Sequence, residues 1–291
     1  MKYETIKYEK EDGFVVVTLN RPERLNALNT QLKKELFHAH HEILKDDKVI
    51  AWILTGAPRP DGRPCFCAGA DLKDDAAGTP RWDYSPEYRG PFYVEEDDMF
   101  PVNTAAGRLW AKRPRIMTAP LNTNIAWSPK ISIAAVDGVA TAGGIELALV
   151  CDIILASETA QFTDSHVKNL KSAIGGASVT TSLTRRVGYS KALELCILGE
   201  FIDGKEAKAI GLANRVFPPD KLMIEAKNMA RKIAGMRPAA LQLTKLSCRS
   251  VFDANYNQTW NYGDELLKWN RLDPTWAGLQ GVTKEWEKRK K

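Results

Sequence analysis

The sequence predicts an α/β chain, and three observations carry that expectation. Short apolar, β-branched runs (Phe14 to Leu19, Val49 to Thr55, Ile131 to Val136) read as buried strands. Segments with helical periodicity or small-residue helix starts fall between them. From Lys221 onward the chain reads as helix throughout: Lys221 to Ala234, Pro238 to Val251, and a last pair from about Tyr256 to Lys290. The alternation is βαβ-like but too irregular to define a strict repeat.

In chain order, the Glu11-Asp12-Gly13 turn precedes the first run and Asn20-Arg21-Pro22 ends it. Asn29 or Thr30 caps a helix reaching about Leu44, with Leu32, Leu36 and Ile43 on one face. His38, His40 and His41 on that helix have a spacing that suits zinc poorly, and they read as a solvated or partly packed face. After the Val49 run comes a Pro/Gly-rich loop, then Cys65-Phe66-Cys67-Ala68-Gly69-Ala70-Asp71-Leu72, a small-residue turn. Residues 73–128 differ in texture: acidic clusters (Asp74-Asp75 and Glu95-Glu96-Asp97-Asp98), prolines and many aromatics read as a long ordered loop or lid, with helix around Val102 to Lys112.

The stretch from Val136 to Asp152 is the most informative. The buried strand ending at Val136 is followed by a small-residue turn through Ala142-Gly143-Gly144, which opens an apolar helix. Two residues without side chains let a ligand oxygen approach the main chain, and the helix N-terminus favours negative charge there. Glu146 is the first ionisable group inside that turn. Further on come short strands at Cys151 to Ala156 and Ala160 to Thr163, and then a loop through Asp164-Ser165-His166 reaches Gly175-Gly176, where another helix begins.

The chain has 291 residues, 44% of them hydrophobic and 26% charged, as in an ordinary globular protein able to bury a substantial core. A formal net charge of +5 without a long Lys/Arg block suits an anionic small ligand and argues against a nucleic-acid surface. Five scattered cysteines read as free thiols of a reducing compartment, and Cys65-Phe66-Cys67 is too isolated to make a metal site. Without an apolar signal region or a run of membrane-spanning length, the expectation is a cytoplasmic protein with no membrane partner.

Four blocks in order resemble the crotonase superfamily, the enoyl-CoA hydratase/isomerase family, across nearly the whole chain. They are Val16 to Pro22 with Asn26-Ala27-Leu28; Phe66 to Leu72; Ala134 through Gly143-Gly144-Glu146-Leu147 to Cys151-Asp152; and Gly199 through Ala207 to Val216. The resemblance implies a crotonase-like spiral of ββα units over residues 1–216, an insertion at about 73–128, and a C-terminal helical region at 217–291, assembled as homotrimers or pairs of trimers. It makes the N–H groups of Ala70 and Gly143 an oxyanion hole for an acyl-CoA thioester carbonyl. It places Leu25, Ala27, Ala68, Ala70, Asp71, Leu72 and Gly143 along the substrate path, with coenzyme A carried as part of the substrate and no cofactor or metal held permanently.

By the same resemblance Glu146 matches one of two glutamates that position water in hydratases, and the second position is His166. Histidine exchanges protons near neutral pH, and Asp164, two residues earlier, is placed to orient it unless it is only a turn residue. The aromatic insertion suggests a bulky, cyclic or aromatic acyl group. The leading expectation is therefore water addition to an α,β-unsaturated acyl-CoA through an enolate. Three alternatives stay open: a C–C bond hydrolase using His166 on a β-diketone or β-keto thioester, an enoyl-CoA isomerase, and a catalytically weak binding member of the fold.

Overall fold

The architecture comes from a computed structural model, which describes residues 2–76, 120–171, 175–252 and 255–272. Most of the insertion, including Glu95, Glu96, Asp97, Asp98 and the helix expected around Val102, lies outside the described residues.

Strands β1 (Ile6–Glu11) and β2 (Phe14–Leu19) form an antiparallel hairpin, and a 3-10 turn (Pro22–Arg24) leads to α1 (Thr30–Lys45). Next come β3 (Ala51–Gly56), β4 (Cys65–Cys67), α2 (Leu72–Ala76) and α3 (Pro120–Trp127). The central part runs β5 (Ile131–Val136), β6 (Val139–Thr141), α4 (Gly143–Val150), β7 (Ile153–Ser157), β8 (Gln161–Thr163) and α5 (His166–Leu170). Short helices α6 (Ala177–Thr180), α7 (Ser182–Val187) and α8 (Tyr189–Leu198) follow, then β9 (Ile202–Asp203), α9 (Gly204–Ala209) and β10 (Arg215–Phe217). The chain continues as α10 (Pro219–Ala234), α11 (Pro238–Ser250) and α12 (Tyr256–Leu272).

The strands sort into two sheets. One has the order β1-β2-β3-β5-β7-β10, parallel from β2 onward, and the other the order β4-β6-β8-β9, with β4, β6 and β8 parallel. Consecutive strand pairs β3/β4, β5/β6 and β7/β8 therefore each give one strand to each sheet and then a helix. This is the ββα unit that the family resemblance implied, used three times. Strands β3, β5 and β7 are nearly continuous apolar runs because they lie inside a parallel sheet covered on both faces.

Local chemistry explains the helix ends. The Asn29 side chain accepts from Leu32 N–H at 2.9 Å, and Asp74 Oδ2 accepts from both Thr30 N–H and its hydroxyl at 2.8 Å, so two carboxamide or carboxylate oxygens satisfy the first turn of α1. Leu32, Leu36, Ala39 and Ile43 of α1 are fully buried. Glu35 is buried on the same helix, where its carboxylate gathers Glu4 N–H, Thr5 N–H, the Thr5 hydroxyl and Gln31 Nε2. Burial pushes the Glu35 carboxyl up, but these donors outweigh it and leave its pKa below the ordinary value. On the three-histidine face, His40 is buried against Trp52 and His38 Nδ1 meets the Tyr3 hydroxyl at 2.9 Å, so part of that face belongs to the interior.

The chain divides into two compact units, Met1–Arg231 and Lys232–Lys291. In the first, one continuous core joins β2, β3, β5, β7 and the apolar helix α4. In the second, α11 and α12 pack together. The Arg237 guanidinium donates to the Asn270 side-chain oxygen, and the absent side chain of Gly263 lets Ser247 approach.

Candidate active site

Three adjacent parallel strands of the smaller sheet end side by side. Cys67 of β4 pairs with Ala140 of β6, and Thr141 of β6 pairs with Thr163 of β8. The turns that leave these strands therefore open on one edge, the carboxyl ends, where parallel sheets of α/β proteins receive ligands. Ala70 sits beyond β4, Gly143 beyond β6, and Asp164 with His166 beyond β8.

Ala70 is aimed by its pairing with Leu28. In this parallel bridge Leu28 makes both bonds, donating to Gly69 O at 2.8 Å and accepting from Asp71 N–H at 3.2 Å. The Ala70 amide consequently points out of the ladder. Gly143 is the first residue of α4, so its N–H belongs to the turn that has no intrahelical acceptor. The peptide carrying that N–H is oriented by Ala142, held at φ 49° and ψ −122°, a conformation that L-residues avoid.

The two turns touch. A Cβ placed on Gly143 would lie 3.5 Å from Ala70 N, and one on Gly69, itself at φ +95°, would lie 3.0 Å from Gly143 N. A Cβ on Gly144 would stand 2.0 Å from the Cys67 carbonyl oxygen, closer than any atoms pack. Glycine at these positions is what allows main chain to approach main chain.

Glu146 lies in the first turn of α4, with its N–H bonded to Ala142 O at 3.1 Å. Its carboxylate is held at both oxygens. Oε1 accepts from Gly176 N–H at 2.8 Å and Oε2 from Asn122 Nδ2 at 3.3 Å. Neither partner was visible as such in the sequence, since they lie far along the chain; the Gly175-Gly176 pair signals only a helix start.

Asp164 is completely buried and its Oδ1 lies 2.5 Å from His166 Nδ1, while the imidazole remains partly exposed. His166 begins α5 instead of lying in the expected loop, with Ser165 at the N-cap and Ser165 Oγ 2.9 Å from the Thr141 hydroxyl. The Asp164 hydrogen bond raises the His166 pKa, burial opposes it, and the charges of Asp164 and Glu146 add to the rise. The imidazolium therefore persists further into the neutral range than a free histidine. Cys196, which sequence reading left unassigned, faces the same carboxylate; burial first, and then the Asp164 charge, push its thiol up to about 11.

The residues expected along a substrate path are partly gathered. Ala68 N–H bonds Leu25 O at 3.0 Å, and Arg21 ties Ala27 O and the Asp71 carboxylate together, so Leu25, Ala27, Ala68 and Asp71 form one hydrogen-bonded ribbon beside the Ala70 turn. Burial pushes the Asp71 carboxyl up, but Arg21 holds it below its ordinary value overall. Leu25 at φ 53° is exposed, and Leu72 at the start of α2 is more so. No group of three or more His, Cys, Asp or Glu among the described residues is arranged to hold a metal.

A model of the family described as enoyl-CoA hydratase/isomerase matches residues 9–93 and 111–289. The chain is 32% identical over 267 residues to the protein named "Probable enoyl-CoA hydratase echA8" in Mycobacterium tuberculosis, spanning 92% of this chain and 90% of that one. It is 35% identical over 246 residues to the short-chain-enoyl-CoA hydratase of Clostridium acetobutylicum, spanning 84% and 81%. Among solved structures, an enoyl-CoA hydratase from Bacillus anthracis superposes with a TM-score of 0.76 at 27% identity, covering 98% of this chain and 97% of that one. One from Mycobacterium smegmatis superposes at 0.74, also at 27% identity, over 98% and 97%. With the paired-sheet architecture, these similarities establish the crotonase fold, and the chain belongs to the enoyl-CoA hydratase/isomerase family of enzymes.

Proposed function

We propose that this enzyme adds water to the α,β-double bond of an enoyl-CoA thioester, with Glu146 as base and His166 as acid. The observation that carries the reading is the juxtaposition of a clamped carboxylate, Glu146, with an imidazole whose proton affinity is raised by the buried Asp164. The thioester carbonyl oxygen accepts from the N–H groups of Ala70 and Gly143. Glu146 takes a proton from water as its oxygen bonds to Cβ, and the double-bond electrons move onto the carbonyl oxygen as an enolate. Two fixed donors stabilise that charge, each typically worth about 3 kcal/mol of barrier. The enolate collapses as Cα takes the proton from His166, and proton return from Glu146 to His166 resets the pair. An imidazolium acid and a carboxylate base have the complementary charges that this sequence needs at neutral pH.

The acyl group is proposed to be bulky, cyclic or aromatic, on the aromatic density of the insertion. Coenzyme A enters only with the substrate. A homotrimer or pair of trimers follows from the resemblance to the family. The five cysteines, all among the described residues, form no disulfide, which suits a reducing, cytoplasmic setting.

The test is a panel of linear, aromatic and cyclic enoyl-CoA esters with mass detection. A product heavier by one water, lost in Glu146→Gln while thioester binding persists, is expected. Unchanged turnover in that variant removes Glu146 from the chemistry. A carboxylic acid from C–C cleavage would instead make the His166–Asp164 pair a base for water. Deuterium at Cα without net water addition would mark an isomerase.

A further inference from the structure

We propose that Asn122 is a positioning residue for Glu146, acting as a bracket between α3 and the start of α6; the proposal rests on Glu146 serving as the catalytic base. Asn122 is buried to 9% exposure, and one nitrogen, Nδ2, spends both hydrogens on defined partners: Glu146 Oε2 at 3.3 Å and Ser178 Oγ at 3.1 Å. The carboxylate itself fixes which way the amide faces, because a flipped amide would set Oδ1 against an anionic oxygen with no proton between them. The other carboxylate oxygen is bound by Gly176 N–H at 2.8 Å, and Gly176 O in turn accepts from Val179 N–H at 2.9 Å and Thr180 N–H at 3.0 Å. Ser178 and Gly176 thus belong to one turn, and that turn grips Glu146 directly on one side and through Asn122 on the other.

The geometry has a chemical consequence. A carboxylate held at one oxygen can swing about its last torsion; held at both, it presents its remaining lone pairs in one direction. A base must lie within hydrogen-bond reach of the water it activates, and a misplacement of about 1 Å can cost about a hundredfold in rate. The space at Gly176 is part of the bracket, since a Cβ there would lie 2.9 Å from Glu146 Oε1.

The experiment compares Asn122→Ala, Asn122→Asp and Ser178→Ala with the unaltered full chain. Steady-state kinetics on the best ester of the panel should show kcat down about 10- to 100-fold in Asn122→Ala, with KM within about threefold. Asn122→Asp keeps the shape but replaces the donor by a second carboxylate, so its kcat–pH profile should move its acidic limb upward as the two acids share a proton. Ser178→Ala, which leaves the Glu146 contacts in place, should give a smaller loss and serves as the check if Asn122→Ala folds poorly. The second readout needs no substrate: in the free protein, the Gly176 amide should exchange with deuterium several-fold faster in Asn122→Ala. Faster Gly176 exchange without turnover of any ester would retain the bracket and defeat the hydratase reading. Unchanged Gly176 exchange, or unchanged kcat and pH profile in an active enzyme, would overturn the role of Asn122.

Discussion

Asp164 and His166 meet at 2.5 Å between Oδ1 and Nδ1, with the carboxylate fully buried and the imidazole still reaching solvent. An aspartate at this depth has little to do but hold a neighbour, and the neighbour it holds is the one whose proton the proposed reaction spends.

The first prediction concerns pH. Because Asp164 raises the His166 pKa, the acid form should sustain turnover above the ordinary histidine range and lose it as pH rises through the shifted value. Asp164→Asn keeps the shape and removes the charge, so the basic limb of the kcat–pH profile should move to lower pH, with kcat at neutral pH down about tenfold or more. The same pair contributes stability that is complete below the unfolded histidine pKa of about 6.5 and fades as pH rises through the folded one. A basic limb identical in the two proteins would show that Asp164 does not tune His166.

The second prediction concerns Glu35, whose shift has the opposite sign. Its depressed pKa contributes stability present above the unfolded value of about 4.3 and lost as pH falls through the folded one. Glu35→Gln should therefore cost about 1–3 kcal/mol at pH 7, with the gap to wild type narrowing in acid. Urea unfolding at pH 7 and at mildly acid pH measures both; a gap that is constant with pH would contradict the assignment.

The third concerns close packing. Gly144→Ala drives a methyl into the Cys67 carbonyl, so β4 or α4 must shift. A loss of at least about 2 kcal/mol, read as a fall of about 5 °C or more in Tm by calorimetry, is expected. Gly143→Ala meets first the end of the Leu28 side chain at 3.1 Å and should cost less stability.

The fourth concerns Ala142. Replacing alanine by glycine usually costs about 0.5–1 kcal/mol, but a sparsely populated backbone at φ 49° and ψ −122° already costs alanine about 1–3 kcal/mol. Ala142→Gly should melt at or above the wild-type temperature, whereas Ala148→Gly inside the buried helix α4 should melt below it.

These tests fall on residues of unequal legibility. α1 could be read from Asn29 and the Leu32, Leu36, Ile43 spacing, because a cap and a 3.6-residue period are local signals. The strands β4 and β6 could not: three residues show no period, and Cys65–Cys67 and Val139–Thr141 become strands only by pairing across the fold. Hence two segments read as turns begin as strands, and the ββα unit came from the family resemblance, not from the residue pattern. His40 illustrates the same limit, because only the position of Trp52 on β3 decides that it is interior. At the site, Gly143, Glu146 and the Ala70 turn could be picked out by small residues beside a helix start. Asn122 and Gly176 were out of reach because they meet Glu146 only through the fold.

The contact of Gly144 with the Cys67 carbonyl bears on how substrate is met. Two main-chain segments in hard contact cannot adjust their separation to suit a ligand, so the spacing between the Ala70 and Gly143 amides is a preorganised gauge, set when the chain folds. In the proposed reaction, discrimination among acyl groups then falls to whatever borders the rest of the ligand, while the thioester carbonyl would be measured against the same fixed span each time.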